Sequence, residues 1–109
     1  MIFNVVVTGS FERKVKKLSK KYKSLKADLE PVFHQLTSNP VIGTSIGNDC
    51  FKIRVAISSK GRGKSGGARI ITYVRYVKGT VYLIDIYDKS EKEIISEKEI
   101  IEVISLILE

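Results

Sequence analysis

The chain has 109 residues, 43% apolar and 28% charged, which suits one compact domain over residues 1–109 and is too short for two ordinary ones. Two Pro and eight Gly are too few for a low-complexity chain, and the apolar content excludes wholesale disorder. The lone Cys50 cannot close an internal disulfide, and with the lone His34 it falls short of a tetrahedral zinc set, so no metal or other cofactor is implied.

The net charge of +7 divides unevenly. Residues 1–84 hold sixteen Lys and Arg against Glu12, Asp28, Glu30 and Asp49, a balance of +12, whereas residues 85–109 carry three Lys against eight acids, a balance of −5. The cations form two clusters, one from Arg13 to Lys26 and one from Lys52 to Lys78. Such density favours a polyanionic partner, because each neutralised phosphate releases counterions. Nucleic acid leads, ahead of an anionic membrane surface or an acidic protein. The first cluster reads equally well as a solvated helix face.

Ile2 to Thr8 is apolar and β-branched, with no basic flank before it, and reads as a strand rather than a signal peptide. No stretch is long enough to span a bilayer, so a cytoplasmic protein is expected. Ser10 is placed to cap a helix in which Phe11, Val15 and Leu18 share one face and Lys and Arg fill the other. Ser24 restarts the pattern through Leu25, Leu29, Val32 and Leu36 until Ser38-Asn39-Pro40, with Pro31 expected to kink or delay this second helix. The short link between them predicts an antiparallel helical hairpin.

Gly43 to Asp49 reads as a turn-rich connection. Phe51 to Ile57 then alternates, with Phe51, Ile53, Val55 and Ile57 on one face and Lys52 and Arg54 side by side on the other. Ser58 to Gly67 is a glycine-rich basic loop, and Ala68–Val77 and Thr80–Tyr87 form a hairpin about Lys78-Gly79. Ser96 and Glu99 make a capping box for a last helix so apolar at its end that either the sheet or a partner must cover it. The order predicts an α+β two-layer fold: an N-terminal strand and helical hairpin on a mostly antiparallel sheet, followed by a C-terminal helix.

Gly63-Lys64-Ser65 invites comparison with a phosphate-binding P-loop, but the first glycine of that motif is replaced by Ser58 and a strand, not a helix, follows. The loop still offers Lys60, Arg62 and Lys64 on glycines that allow close approach to a phosphodiester; otherwise it is a plain mobile connection. His34 and Cys50 read as structural, and Asp85 and Asp88 lack the further oxygen donors a magnesium site needs.

What remains is Lys52 and Arg54 on one strand, Arg69 on the next, and Tyr87 and Lys89 at the end of the third. Adjacent strands lie about 5 Å apart, so these long side chains can converge on one site. Preorganised cations stabilise the extra charge of a pentacoordinate phosphorane, and RNA carries its own nucleophile in the 2′-hydroxyl. The same group would equally serve to bind phosphates without cleaving them.

Three segments, Asn48-Asp49-Cys50-Phe51-Lys52-Ile53-Arg54, Gly66-Gly67-Ala68-Arg69-Ile70-Ile71-Thr72-Tyr73 and Tyr82-Leu83-Ile84-Asp85-Ile86-Tyr87-Asp88-Lys89, together with the order of elements, resemble the RelE/ParE toxin superfamily. The resemblance is to the RelE and HigB-like branch of type II toxin–antitoxin modules, spans roughly residues 2 to 105, and includes the run from Lys60 to Arg69 typical of one HigB-like subgroup. It implies a RelE-like fold and a ribosome-dependent messenger RNA endonuclease that leaves a 2′,3′-cyclic phosphate and a 5′-hydroxyl. By position, Lys52 and Arg54 match the family's basic pair, Arg69 its transition-state arginine, and Lys89 an arginine proposed as general acid. The family's C-terminal tyrosine would align at Ile95, and Tyr87 is the substitute at hand. The resemblance further implies that Arg13, Lys16, Lys17 and Lys20 contact ribosomal RNA, that Lys60, Arg62 and Lys64 line the messenger channel, and that a cognate antitoxin covers the basic surface. Two alternatives stand beside it: a ParE-like inhibitor of DNA gyrase, and a catalytically inactive basic RNA-binding module.

Overall fold

The computed structural model describes residues 2–91 and 94–109. Five strands form one sheet in the order β1-β5-β4-β3-β2: β1 (Asn4–Val7), β2 (Thr44–Gly47), β3 (Cys50–Val55), β4 (Ala68–Arg75) and β5 (Thr80–Asp88). β1 pairs parallel to β5, and every other pairing is antiparallel. The predicted α+β class and helical hairpin are therefore as observed.

Helix α1 (Gly9–Lys21) begins directly where β1 ends, and its cap is Thr8 rather than Ser10. The Thr8 hydroxyl accepts from the Phe11 N–H at 3.4 Å and donates to the Leu83 carbonyl at 2.8 Å. Ser10, one residue into the helix, donates instead to the Ile84 carbonyl at 3.1 Å. Both hydroxyls thereby pin the start of α1 to β5. Helix α2 (Leu25–Ser38) runs unbroken through Pro31, because the Ala27 carbonyl that loses its partner lies on the exposed side of the helix. Ser24 sits at its N-cap with helical backbone and makes no cap bond, its hydroxyl donating to Asp28 at 2.7 Å.

The connection expected over 43–49 contains β2, whose four residues are all exposed. A turn at Asn48 and Asp49, both with positive φ (55° and 58°), closes the β2–β3 hairpin. That is the mirror-type turn whose strand twist suits hairpins, and Asn and Asp tolerate it.

The α1–α2 hairpin covers one face of the sheet, where Phe11, Leu25, Leu29 and Leu36 meet Ile53, Ile70, Val74 and Leu83. Each such fully buried side chain contributes about 1.5–3 kcal/mol. Alternate residues of the same strands, Cys50, Ile71, Tyr73 and Ile84, face the other way and pack with Ile100 of α3 (Glu97–Leu108). The sheet thus covers the apolar C-terminal helix, from the face opposite the hairpin. Ser96 and Glu99 form the predicted capping box. No helix among the described residues is long and apolar enough to cross a membrane.

Gly67 joins the basic loop to β4 at a place with no room for a side chain: a Cβ there would stand 2.0 Å from the Val55 carbonyl oxygen. Gly61, with φ of 69°, has open space around it. In urea denaturation, Gly67→Ala should cost about 3 kcal/mol as backbone is forced apart. Gly61→Ala should cost only the left-handed strain of about 1–2 kcal/mol.

Candidate functional site

The register across three strands places the predicted residues in rows. Arg54 on β3 pairs with Arg69 on β4, which pairs with Tyr87 on β5. Two residues along, Lys52 pairs with Ile71 and Ile71 with Asp85, a β-bulge following between Ile71 and Thr72. The face divides in two. One end is apolar, around Tyr73, Ile84 and Cys50, and lies against α3. The other end carries Lys52, Arg54 and Arg69, and Tyr87 stands at the boundary, packed in the same apolar cluster as Ile84 and Ile100.

These side chains are not equally available. Arg54 is exposed and Lys52 half-buried; together with the exposed Lys64 they line a groove of about 700 Å³ between α2 and the edge of β3. Arg69 is only 3% exposed. Its guanidinium donates to the carbonyls of Lys64 (2.9 Å), Ala68 (3.1 Å) and Ser65 (3.2 Å). Tyr87 is 6% exposed and lines a smaller cavity of about 150 Å³ with Lys14, Lys17 and Lys21 of α1. Burial raises the Tyr87 hydroxyl above its ordinary value against the pull of Arg69, so it keeps its proton at neutral pH and can donate a hydrogen bond. Lys89 is exposed just past β5, its backbone N–H donating to the Gly67 carbonyl at 3.0 Å.

Of the other predicted cations, Arg13, Lys16, Lys17 and Lys20 are all exposed on α1. Arg62 is exposed, its stem close beside Gly66. Lys60 is placed differently. Its ammonium is held by Asp88 (2.7 Å) and the Gly66 carbonyl (2.8 Å) inside the fold, and not on the groove with Lys64.

The residues that sequence reasoning missed are those around Asp88. This carboxylate is 1% exposed and accepts from Lys60, from the Tyr22 hydroxyl at 2.5 Å, and from the Ser90 N–H and hydroxyl at 3.0 and 2.8 Å. The signal was an acid within an otherwise apolar strand, since a buried charge requires donors. Asp85 is a second case: one oxygen takes the Lys14 ammonium and the other has no partner among the described residues. Burial pushes its carboxyl up despite Lys14. Cys50 is fully buried, and burial with nearby Asp49 pushes its thiol up to about 11, so it packs rather than reacts. Among the described residues, no three His, Cys, Asp or Glu lie together in a way that could hold a metal ion.

Burial alone would raise the Asp88 carboxyl, but its donors outweigh that and hold it well below the usual value of 3.8. Below that value the unfolded chain binds the proton that the folded chain refuses, so the stabilisation is complete above about pH 4 and is lost as the pH falls further. The stability difference between wild type and Asp88→Asn should be flat from neutral pH to about pH 5 and shrink below pH 4, measured by denaturant titration at each pH.

No protein-family model matches the chain. Solved structures do. A double arginine-to-alanine mutant of the E. coli toxin RelE in the free state superposes with a TM-score of 0.67 at 19% identity, covering 95% of this chain and 99% of that one. The isolated E. coli RelE toxin gives 0.55 at 20% identity, with 95% and 98% covered. The intact E. coli RelBE toxin–antitoxin complex gives 0.54 at 21% identity, covering 79% of this chain and 95% of the matched one. The element order, the mostly antiparallel sheet and the C-terminal helix of this chain are those of the RelE fold.

Proposed function

We propose that this protein is the toxin of a type II toxin–antitoxin module, an endoribonuclease that cuts messenger RNA on the ribosome. The observation that carries this reading is the row Arg54, Arg69, Tyr87 across three adjacent strands, with Lys52 beside it and Lys64 and Lys89 at its two margins. The likeness to the E. coli RelE fold supports it, and the toxin–antitoxin complex among the matched structures supports an antitoxin as partner.

In this reading the groove beside β3 receives the messenger strand. Lys52 and Arg54 engage the scissile phosphate, Arg69 neutralises the charge that builds as the phosphorane forms, and Tyr87 donates a hydrogen bond. The 2′-hydroxyl passes its proton to solvent as its oxygen attacks the adjacent phosphorus, the bond to the 5′-oxygen breaks, and Lys89 is assigned to supply the proton that the leaving oxygen takes up. The exposed cations of α1 supply the contact with ribosomal RNA, which is a matter of charge rather than of base sequence.

Arg54 is the cleaner test, because it is exposed and its side chain makes no hydrogen bond or ion pair among the described residues. Arg54→Ala should slow cleavage about 10²-fold in a reconstituted translation reaction with unchanged thermal stability. Arg69→Lys, which keeps the charge and loses the planar fork, should fall by a similar factor. Transcript 5′ ends mapped after induction should lie inside translated regions. Growth arrest with intact messengers and damaged DNA would instead identify a gyrase inhibitor, and harmless overproduction an inactive RNA binder.

A further inference from the structure

The Arg69 guanidinium has five N–H donors in two forks. Nη1 donates to the Lys64 and Ala68 carbonyls, and Nη2 to the Ser65 carbonyl. Nε makes no hydrogen bond among the described residues, which leaves the Nε–Nη2 fork, a pair that can grip a phosphate bidentately, as the less committed side of the group. The loop carbonyls therefore decide which way that fork points.

Two of those carbonyls, Lys64 and Ser65, belong to a short helical turn, Lys64–Gly66, flanked by glycines on both sides and without a side-chain cap. Its far end is fixed by Lys60, whose ammonium donates to the Gly66 carbonyl at 2.8 Å and to Asp88 at 2.7 Å. The Lys60 side chain is 10% exposed and lies over the Tyr22 ring at 5.3 Å, while Tyr22 donates to the other oxygen of Asp88. Asp88 stands directly opposite Ala68 in the ladder, between Tyr87 and Lys89 in sequence. A continuous series of contacts thus runs from the Asp88 carboxylate through Lys60 and the Gly66 carbonyl to the turn that orients Arg69.

We infer that Asp88 is a positioning residue: through Lys60 it holds the glycine-rich loop so that one fork of Arg69 is occupied by loop carbonyls and the other is presented to a phosphodiester. The inference rests on the endoribonuclease reading for its consequence in catalysis, but not for its geometry. It also gives Lys60 a different task from Lys64, bracing the loop rather than meeting RNA.

The test pairs a spectroscopic readout with a kinetic one. In ¹⁵N-labelled full-length protein, the Arg69 guanidinium protons should give resolved, slowly exchanging signals. Asp88→Asn and Lys60→Met should each abolish them, and each should lower the single-turnover rate of messenger cleavage about ten-fold while RNA affinity changes less than about two-fold. Tyr22→Phe, which leaves the ion pair intact, should do neither. Should one unpaired buried charge prevent folding, the double variant Asp88→Asn, Lys60→Met carries no charge at either position and the same prediction holds. Folded variants that keep the Arg69 signals, or that lose only thermal stability, overturn the inference. If the wild type cleaves no messenger, the endoribonuclease reading fails while the Arg69 signals still decide this one.

Discussion

A carboxylate with almost no solvent contact must be given donors or surrender its charge, and at Asp88 that demand draws together chain segments far apart in sequence. Tyr22 comes from the end of the helical hairpin's first arm, Lys60 from the loop, and Ser90 from beyond the last strand. A pair of this kind adds little net stability against a well-packed apolar substitute, but breaking it is costly, because one ion is left alone. Its value lies in geometry. It fixes the point where a glycine-bearing segment becomes β4, one residue before Arg69.

Burial and pairing also decide how the sheet face opposite the helical hairpin is shared. Residues of one parity on β3 and β4 supply the main core, so those of the other parity must either be covered or be polar. Cys50, Ile71 and Tyr73 are apolar and demand cover, which Ile100, Val103 and Ile104 of α3 provide. Lys52, Arg54 and Arg69 on the same face are cations that an apolar helix cannot cover without leaving charges unpaired. The boundary between the two halves follows from composition along each strand, with no additional element needed to draw it.

Much of this was legible in the sequence. The alternation in 51–57 sets Lys52 and Arg54 on one face, and the capping box at Ser96 and Glu99 marks α3, because both depend only on neighbours a few residues away. The row Arg54, Arg69, Tyr87 follows once three antiparallel strands are recognised. What was not legible depends on contacts across the fold. β2 has four exposed residues and no apolar period, so only its Asn48-Asp49 turn announces it. Thr8 caps α1 in place of Ser10 because β1 stops at Val7, one residue short of the strand read over Ile2 to Thr8. The fates of Lys60 and Arg69 could not be read from type or spacing, because a cation's availability is set by which acceptors the fold puts beside it.

That last point also revises what the uneven charge means. The acidic balance of residues 85–109 suggests a tail set apart from a polycationic body. The ion pairs of the described residues say otherwise: Lys14 pairs with Asp85, Lys60 with Asp88 and Lys21 with Glu91, each joining a body cation to an acid within 85–91. The Lys21–Glu91 pair is exposed and holds little energy. The other two are anchored on carboxylates 1% exposed and tie β5 to α1 and to the loop. Lys14 and Lys60 are committed to the fold, so counterion release on binding a polyanion would fall to exposed cations, among them Arg13, Lys16, Lys17 and Lys20 on α1, Arg54 and Lys64 on the groove, Arg62 in the loop and Lys89 past β5. The net charge counts both kinds alike, but only the second kind is presented to solvent, and the first determines where in space it is presented.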